Sequence, residues 1–72
     1  MKINYYRETD SLYIDLASRP SAESQEVAAG VVVDFDKTGR IVGLGVDQAS
    51  KILDLDELEI RKMPFEAKKP RA

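Results

Sequence analysis

The segment from Val31 to Val46 leaves this chain few folds to choose from. Val31-Val32-Val33-Asp34-Phe35 and Arg40-Ile41-Val42-Gly43-Leu44-Gly45-Val46 are two apolar runs separated by Asp36-Lys37-Thr38-Gly39. Both are rich in β-branched residues, which suit the pleated, half-buried surface of a strand. Asp36 fits the first position of a type I turn and Gly39 the left-handed residue after it. Together they predict a three-residue hairpin loop with a bulge at the glycine. Pairing Asp36 with Arg40 sets the expected register: Phe35 faces Ile41, Val33 faces Gly43 and Val31 faces Gly45.

In that register one face carries Val31, Val33, Phe35 and Ile41, with a bare patch at Gly43 and Gly45. The other carries Val32, Val42, Leu44 and Val46. A sheet wetted on one side shows a cleaner alternation of apolar and polar residues, so both faces are expected to be covered over part of their length. The glycines leave room for a close neighbour, such as a helix or a tyrosine ring.

The flanking segments extend the sheet. Lys2 to Tyr6 reads as a first strand, and Leu12-Tyr13-Ile14-Asp15-Leu16 alternates as a second, with the polar turn Arg7 to Ser11 between them. Ser18 to Ser21 is a loop around Pro20. Ala22 to Val27 is extended but polar, the pattern of an edge strand whose charges discourage unwanted pairing. Ala28-Ala29-Gly30 is a tight turn. After Val46 the period changes, and a broken helix, or two short ones, is expected from about Ala49 to Glu57. Asp54 and Glu57 there have the spacing of a capping box. Leu58 to Arg61 fits a helix or a short strand equally well. The predicted fold class is α+β, mostly β: an antiparallel sheet of about five strands followed by a short C-terminal helical segment. Residues 1–63 form one compact domain and residues 64–72 a flexible basic tail.

A chain of 72 residues has a core that rarely supplies more than about 3–5 kcal/mol, so natural domains of this size lean on a disulfide, a metal or a partner chain. There is no cysteine and no histidine. Disulfides and the common zinc ligands are thereby removed, leaving self-association as the expected support. Charges occupy the N-terminus where a signal peptide needs an apolar core, and no stretch approaches a membrane span, so the expected location is the cytoplasm. Residues 1–60 carry 6 basic against 12 acidic side chains and the last twelve residues carry 5 against 1. An acidic body argues against a nucleic-acid groove, and no membrane contact is expected.

Tyr5, Asp10-Ser11-Leu12-Tyr13-Ile14-Asp15-Leu16, Gly30-Val31-Val32-Val33-Asp34-Phe35-Asp36, Gly39-Arg40-Ile41-Val42-Gly43 and Ala49-Ser50 resemble, in their order and spacing, the bacterial and archaeal family termed domain of unknown function 2283. The resemblance runs from about residue 2 to residue 53. It implies a compact β-rich fold and assigns no activity or catalytic residue. Two positions depart from the family pattern: Tyr6 stands where an acidic residue is frequent, and Gly45 where a glutamate is.

Asp34 and Asp36, two apart on a strand and thus on one face, are the most site-like pair, since paired carboxylates bind magnesium or do acid–base work. The plainer reading makes Asp36 a turn residue opposite Arg40 and leaves Asp34 solvated near the hairpin tip. Tyr5, Tyr6 and Tyr13 form an aromatic group suited to core packing or an interface. The five serines have no histidine to activate them. No cofactor, metal or catalytic residue is therefore expected. The expected function is a non-enzymatic protein-binding or structural module acting as a homodimer, with Val32, Val42, Leu44, Val46, Tyr6 and Tyr13 as interface candidates. The alternatives are an acidic, antitoxin-like inhibitor of a basic partner protein, and a metal-dependent hydrolase using Asp34 and Asp36.

Overall fold

The computed structural model describes residues 1–62 and 64. Five strands form one antiparallel sheet: β1 (Lys2–Tyr6), β2 (Ser11–Asp15), β3 (Glu23–Ala28), β4 (Val31–Phe35) and β5 (Ile41–Val46). A single helical turn, α1 (Ala49–Ile52), follows. The strand order is β1-β2-β5-β4-β3, so β1 and β3 are the edges. The mostly-β antiparallel fold with a short helical segment is as the sequence predicts. The polar strand β3 does lie at an edge.

The hairpin loop forms as its residues dictate. The Asp36 N–H donates to the Arg40 carbonyl at 2.8 Å, and the Gly39 N–H donates to the Asp36 carbonyl at 3.0 Å. Gly39 has φ +87, a left-handed backbone that glycine adopts without steric cost.

Beyond the loop the strands pair differently from expectation. Phe35 does oppose Ile41, but Asp34 opposes Gly43, Val33 opposes Leu44, Val32 opposes Gly45 and Val31 opposes Val46. The cause is a β-bulge next to Phe35 in which Val42 is the extra residue of β5. One inserted residue moves every later pair by one and exchanges the faces. Val32 therefore shares a face with Gly43, Gly45 and Tyr13, while Leu44 and Val46 share the opposite face with Val33, Val31, Ile14 and Leu12. The four residues expected to form one apolar face, Val32, Val42, Leu44 and Val46, do not do so. A second bulge, at Val27, interrupts the pairing of β3 with β4.

The helical segment is shorter than expected. It ends at Leu53, whose backbone is extended. A turn follows in which the Glu57 N–H donates to the Asp54 carbonyl at 3.3 Å, and Leu58 to Arg61 is neither helix nor strand. Within the proposed tail only Pro64 is described, so the reading of residues 65–72 lies outside the described residues.

Among the described residues the buried apolar side chains are Val42 (3% exposed), Val46 (5%) and Ala49 (0%). Val46 and Ala49 sit where β5, the central strand, leads into α1, and Val42 lies at the other end of β5, at the bulge next to the hairpin loop. Among the described residues no helix is long and apolar enough to cross a membrane.

Candidate functional site

The face of the sheet that carries Gly43 and Gly45 is built around Tyr13. Tyr13 on β2 opposes Gly45 on β5, and its ring lies along the bare backbone of that strand. A Cβ placed on Gly43 would come within 1.9 Å of the Tyr13 hydroxyl oxygen and 2.6 Å of Cζ. Two strand spacings, about 9–10 Å, separate β2 from β4, and the phenol crosses that distance because Gly43 has no side chain. The hydroxyl then donates to Asp34 Oδ2 at 2.5 Å. Ser24 on β3 donates to the other carboxylate oxygen, also at 2.5 Å. One carboxylate thus ties together β2, β4 and β3 over the surface of β5.

These contacts set the protonation states. The hydrogen bond from Ser24, followed by that from Tyr13, holds the Asp34 carboxyl below its ordinary range. Donation to Asp34 pushes the Tyr13 phenol up to about 12. A carboxylate held ionised and a phenol held neutral are both poorly matched to acid–base work near pH 7. The cluster is a brace across the sheet.

Asp36 is occupied elsewhere. Its Oδ1 accepts from the Thr38 hydroxyl at 2.6 Å and from the backbone N–H groups of Thr38 and Arg40 at 2.9 and 3.0 Å. Its Oδ2 accepts from Arg19 Nε at 2.7 Å. The Thr38 hydroxyl and then the Arg40 N–H hold its carboxyl far below the usual carboxylate range. Asp34 and Asp36, paired in the sequence reading, share no hydrogen-bond partner. Asp34 is also not the free, solvated group that reading allowed. Asp36 is the turn residue expected and lies opposite Arg40, with which it exchanges backbone and side-chain hydrogen bonds; its ion pair is with Arg19. Among the described residues no three acidic side chains gather as a metal cage requires.

A third cluster closes the β1–β2 turn onto α1. Asp10, at φ +52, accepts from the Tyr5 hydroxyl at 2.7 Å and from the Ser50 hydroxyl at 2.6 Å. Its carbonyl accepts from the Ala49 N–H at 2.8 Å. The Ser50 hydroxyl, then that of Tyr5, lowers the Asp10 carboxyl.

The interface candidates fall into two groups. Tyr6, Tyr13 and Val32 line a shallow hollow of about 470 Å³ on the brace face, together with Glu26 and Gly45. Leu44 and Val46 belong to the opposite face, where Val46 and the bulge residue Val42 are already buried within the chain. That opposite face holds a second hollow, of about 650 Å³, between Ile3 and Tyr5 of β1 and the segment containing Leu53, Leu55 and Leu58. It opens beside the β1 edge.

Ser24, Asp10 and Ser50 were not singled out as partners. Asp10-Ser11 was legible as a turn, but its link to Ser50, 40 residues away, has no local signal. Gly43 did carry a signal, since a glycine inside a strand marks a close neighbour, and a tyrosine ring is the neighbour found.

Comparison with known proteins gives two matches. Residues 2–50 match the model of a family described as "Protein of unknown function (DUF2283)". The chain is also similar to an uncharacterized protein, MJ0789, of Methanocaldococcus jannaschii, at 30% identity over 69 residues. That match takes in 93% of this chain and 59% of the relative, so the chain spans little more than half the relative's length. No solved structure matches the chain at comparable significance.

Proposed function

Because the chain belongs to the DUF2283 family, whose description names no activity, we propose a function from surface chemistry: a non-enzymatic, cytoplasmic module that binds protein, first of all a second copy of itself. The observation that carries this reading is the apolar surface on the side of the sheet opposite the brace. Ile3, Tyr5, Leu53, Leu55 and Leu58 are all exposed there, Leu58 at 75%. Fully burying such a side chain contributes about 1.5–3 kcal/mol relative to leaving it in water. A domain with three buried apolar side chains among its described residues has little other reserve. A two-fold partner buries the same patch of both copies at once.

The interface is thereby moved from the residues first expected. Tyr6, Tyr13 and Val32 belong to the braced face, and Val42 and Val46 are already covered. Sedimentation at micromolar concentration tests the proposal. A species of twice 8.1 kDa is expected, and a monomer of 8.1 kDa overturns it.

A second reading, an acidic inhibitor of a basic partner protein, draws on Asp54, Asp56, Glu57 and Glu59, which surround Leu58 in one stretch. Opposite charge steers association and selects partners. Co-purification of a small basic protein, released by salt, would favour this reading over the homodimer.

A further inference from the structure

The two edges of the sheet are not alike, and the difference indicates how two copies meet. β3 is interrupted by the bulge at Val27 and carries Glu23 and Glu26, which oppose Phe35 and Val32 and so lie on opposite faces. Bulges and charges on both faces are how sheets blunt an edge. β1 has neither device. It pairs with β2 without interruption from Lys2 opposite Asp15 to Tyr6 opposite Ser11, contains no proline, and its one charge is Lys2 at its start.

Backbone parity shows which groups β1 leaves open. The Leu16 N–H donates to the Val42 carbonyl, and the Asp47 N–H to the Gly30 carbonyl. Along antiparallel strands backbone groups alternate between the two sides. The first bond turns Leu12 and Ile14 of β2 toward β5. The second turns Gly45 and Gly43 toward β4, which leaves Val46 and Leu44 toward β2 and agrees with the first. Ser11, Tyr13 and Asp15 therefore turn toward β1, where they oppose Tyr6, Asn4 and Lys2. Ile3 and Tyr5 are left with outward N–H and C=O groups.

We infer that β1 pairs antiparallel with β1 of a second copy, about a two-fold axis at Asn4, making one continuous ten-stranded sheet. The strand Lys-Ile-Asn-Tyr-Tyr complements itself in this arrangement. Ile3 opposes the second copy's Tyr5, and these are the residues whose backbone groups are open, so the two copies exchange four hydrogen bonds. Their side chains lie on the apolar face, where the isoleucines and tyrosines of both copies form one cluster. Lys2 opposes the second copy's Tyr6 on the other face, an ammonium beside an aromatic ring. Asn4 meets its own copy in a non-hydrogen-bonded pair.

Pairing one five-residue strand buries less than the ~1,200 Å² of a stable interface. The hollow between Ile3, Tyr5, Leu55 and Leu58 adjoins the same edge, so the two hollows come together and the leucine segments supply the remainder. This rests on the homodimer reading above and names its geometry.

The chain has no cysteine, which allows a direct test with the full chain. In a non-hydrogen-bonded antiparallel pair the Cα atoms lie about 4.5 Å apart, within disulfide range. Asn4→Cys is expected to oxidise to a covalent dimer with the sedimentation of the wild type. Gln25→Cys, on the β3 edge, is expected to stay a free thiol. Amide exchange on the wild type is a second measurement that needs no variant: Ile3 and Tyr5 are expected to be protected at high concentration and to lose that protection on dilution. If the wild type is a dimer but Asn4→Cys does not crosslink and these two amides exchange freely, the edge pairing is overturned while the dimer reading stands. If Gln25→Cys crosslinks as readily as Asn4→Cys, the edge assignment is likewise wrong. A wild-type monomer overturns both readings.

Discussion

Gly43→Ala is the substitution that asks most of this fold for the smallest chemical change. The added methyl would sit 1.9 Å from the Tyr13 hydroxyl oxygen and 2.6 Å from Cζ, so the ring must leave the strand. When it leaves, its bond to Asp34 is broken. Hydrogen bonds to charged groups contribute about 1.5–3 kcal/mol when buried. Both residues here are only partly buried, which brings the figure to about 1 kcal/mol once screening by solvent is allowed for. Lost packing of the ring on the backbone adds about another 1 kcal/mol. For a domain of this size a loss of about 2 kcal/mol lowers Tm by roughly 8–16 °C. Circular dichroism melts measure that shift. An ultraviolet titration of the phenols identifies its cause, because the tyrosine that titrates at about 12 should return toward the ordinary value of 10.0. Gly45→Ala is the control: its methyl meets the ring at 3.6 Å, an ordinary contact, and its Tm should stay close to the wild type. If Gly43→Ala melts with the wild type and one phenol still titrates at about 12, the ring does not lie on that strand and the brace is refuted.

Gly39→Ala has open space around its new methyl, so its cost is backbone strain at φ +87 alone, more than about 1 kcal/mol; an unchanged denaturation midpoint would contradict the bulged loop. Raising the pH through Tyr13 should also weaken the fold. The folded phenol titrates at about 12 against 10.0 for an unperturbed one, so its contribution is intact below pH 10 and declines as pH rises toward 12; chemical denaturation across that range, with Tyr13→Phe as the flat reference, measures it. Asp34 acts in the opposite direction. Its carboxyl is lowered from 3.8, so its stabilisation is present above pH 4 and is lost as acid carries the pH below that value, and Asp34→Asn should flatten this acid limb. Asp10→Ala removes the acceptor shared by Tyr5 and Ser50, so the Ser50 amide should exchange faster while amides in β4 and β5 keep their protection.

The parts of this fold that were legible in the sequence are those specified by neighbours along the chain. The Asp36–Gly39 loop is one, because the turn residue and the left-handed residue lie three apart and each has a backbone reason to be there. The polar edge strand β3 is another. The register of β4 against β5 was not legible, because Val42 looks like any other β-branched residue in a strand. Its role as the inserted residue depends on where β2 and β4 lie on either side of β5. That error then assigned Val32 to the wrong face. The helical segment was overextended for a related reason. Asp54 and Glu57 have capping spacing, but Leu53 is already extended, and the apolar residues after it lie along the sheet beside Ile3 and Tyr5. The brace was half legible: the glycines announced a close neighbour, while the choice of Asp34 and Ser24 as its anchors needed the true register.

The extra residue at Val27 limits how far the sheet can grow. Joining β1 to β3 of the next molecule would repeat without end, because each added chain would present a fresh β3 to the one after it, the head-to-tail geometry from which fibres arise. The bulge breaks the ladder that such an addition must copy, and Glu23 and Glu26 set a carboxylate on either side of it. With that edge closed to polymerisation, β1 can be satisfied by another β1, and that union leaves no further β1 exposed. Under the proposed pairing of β1 with β1, strand addition ends after one step, at two chains.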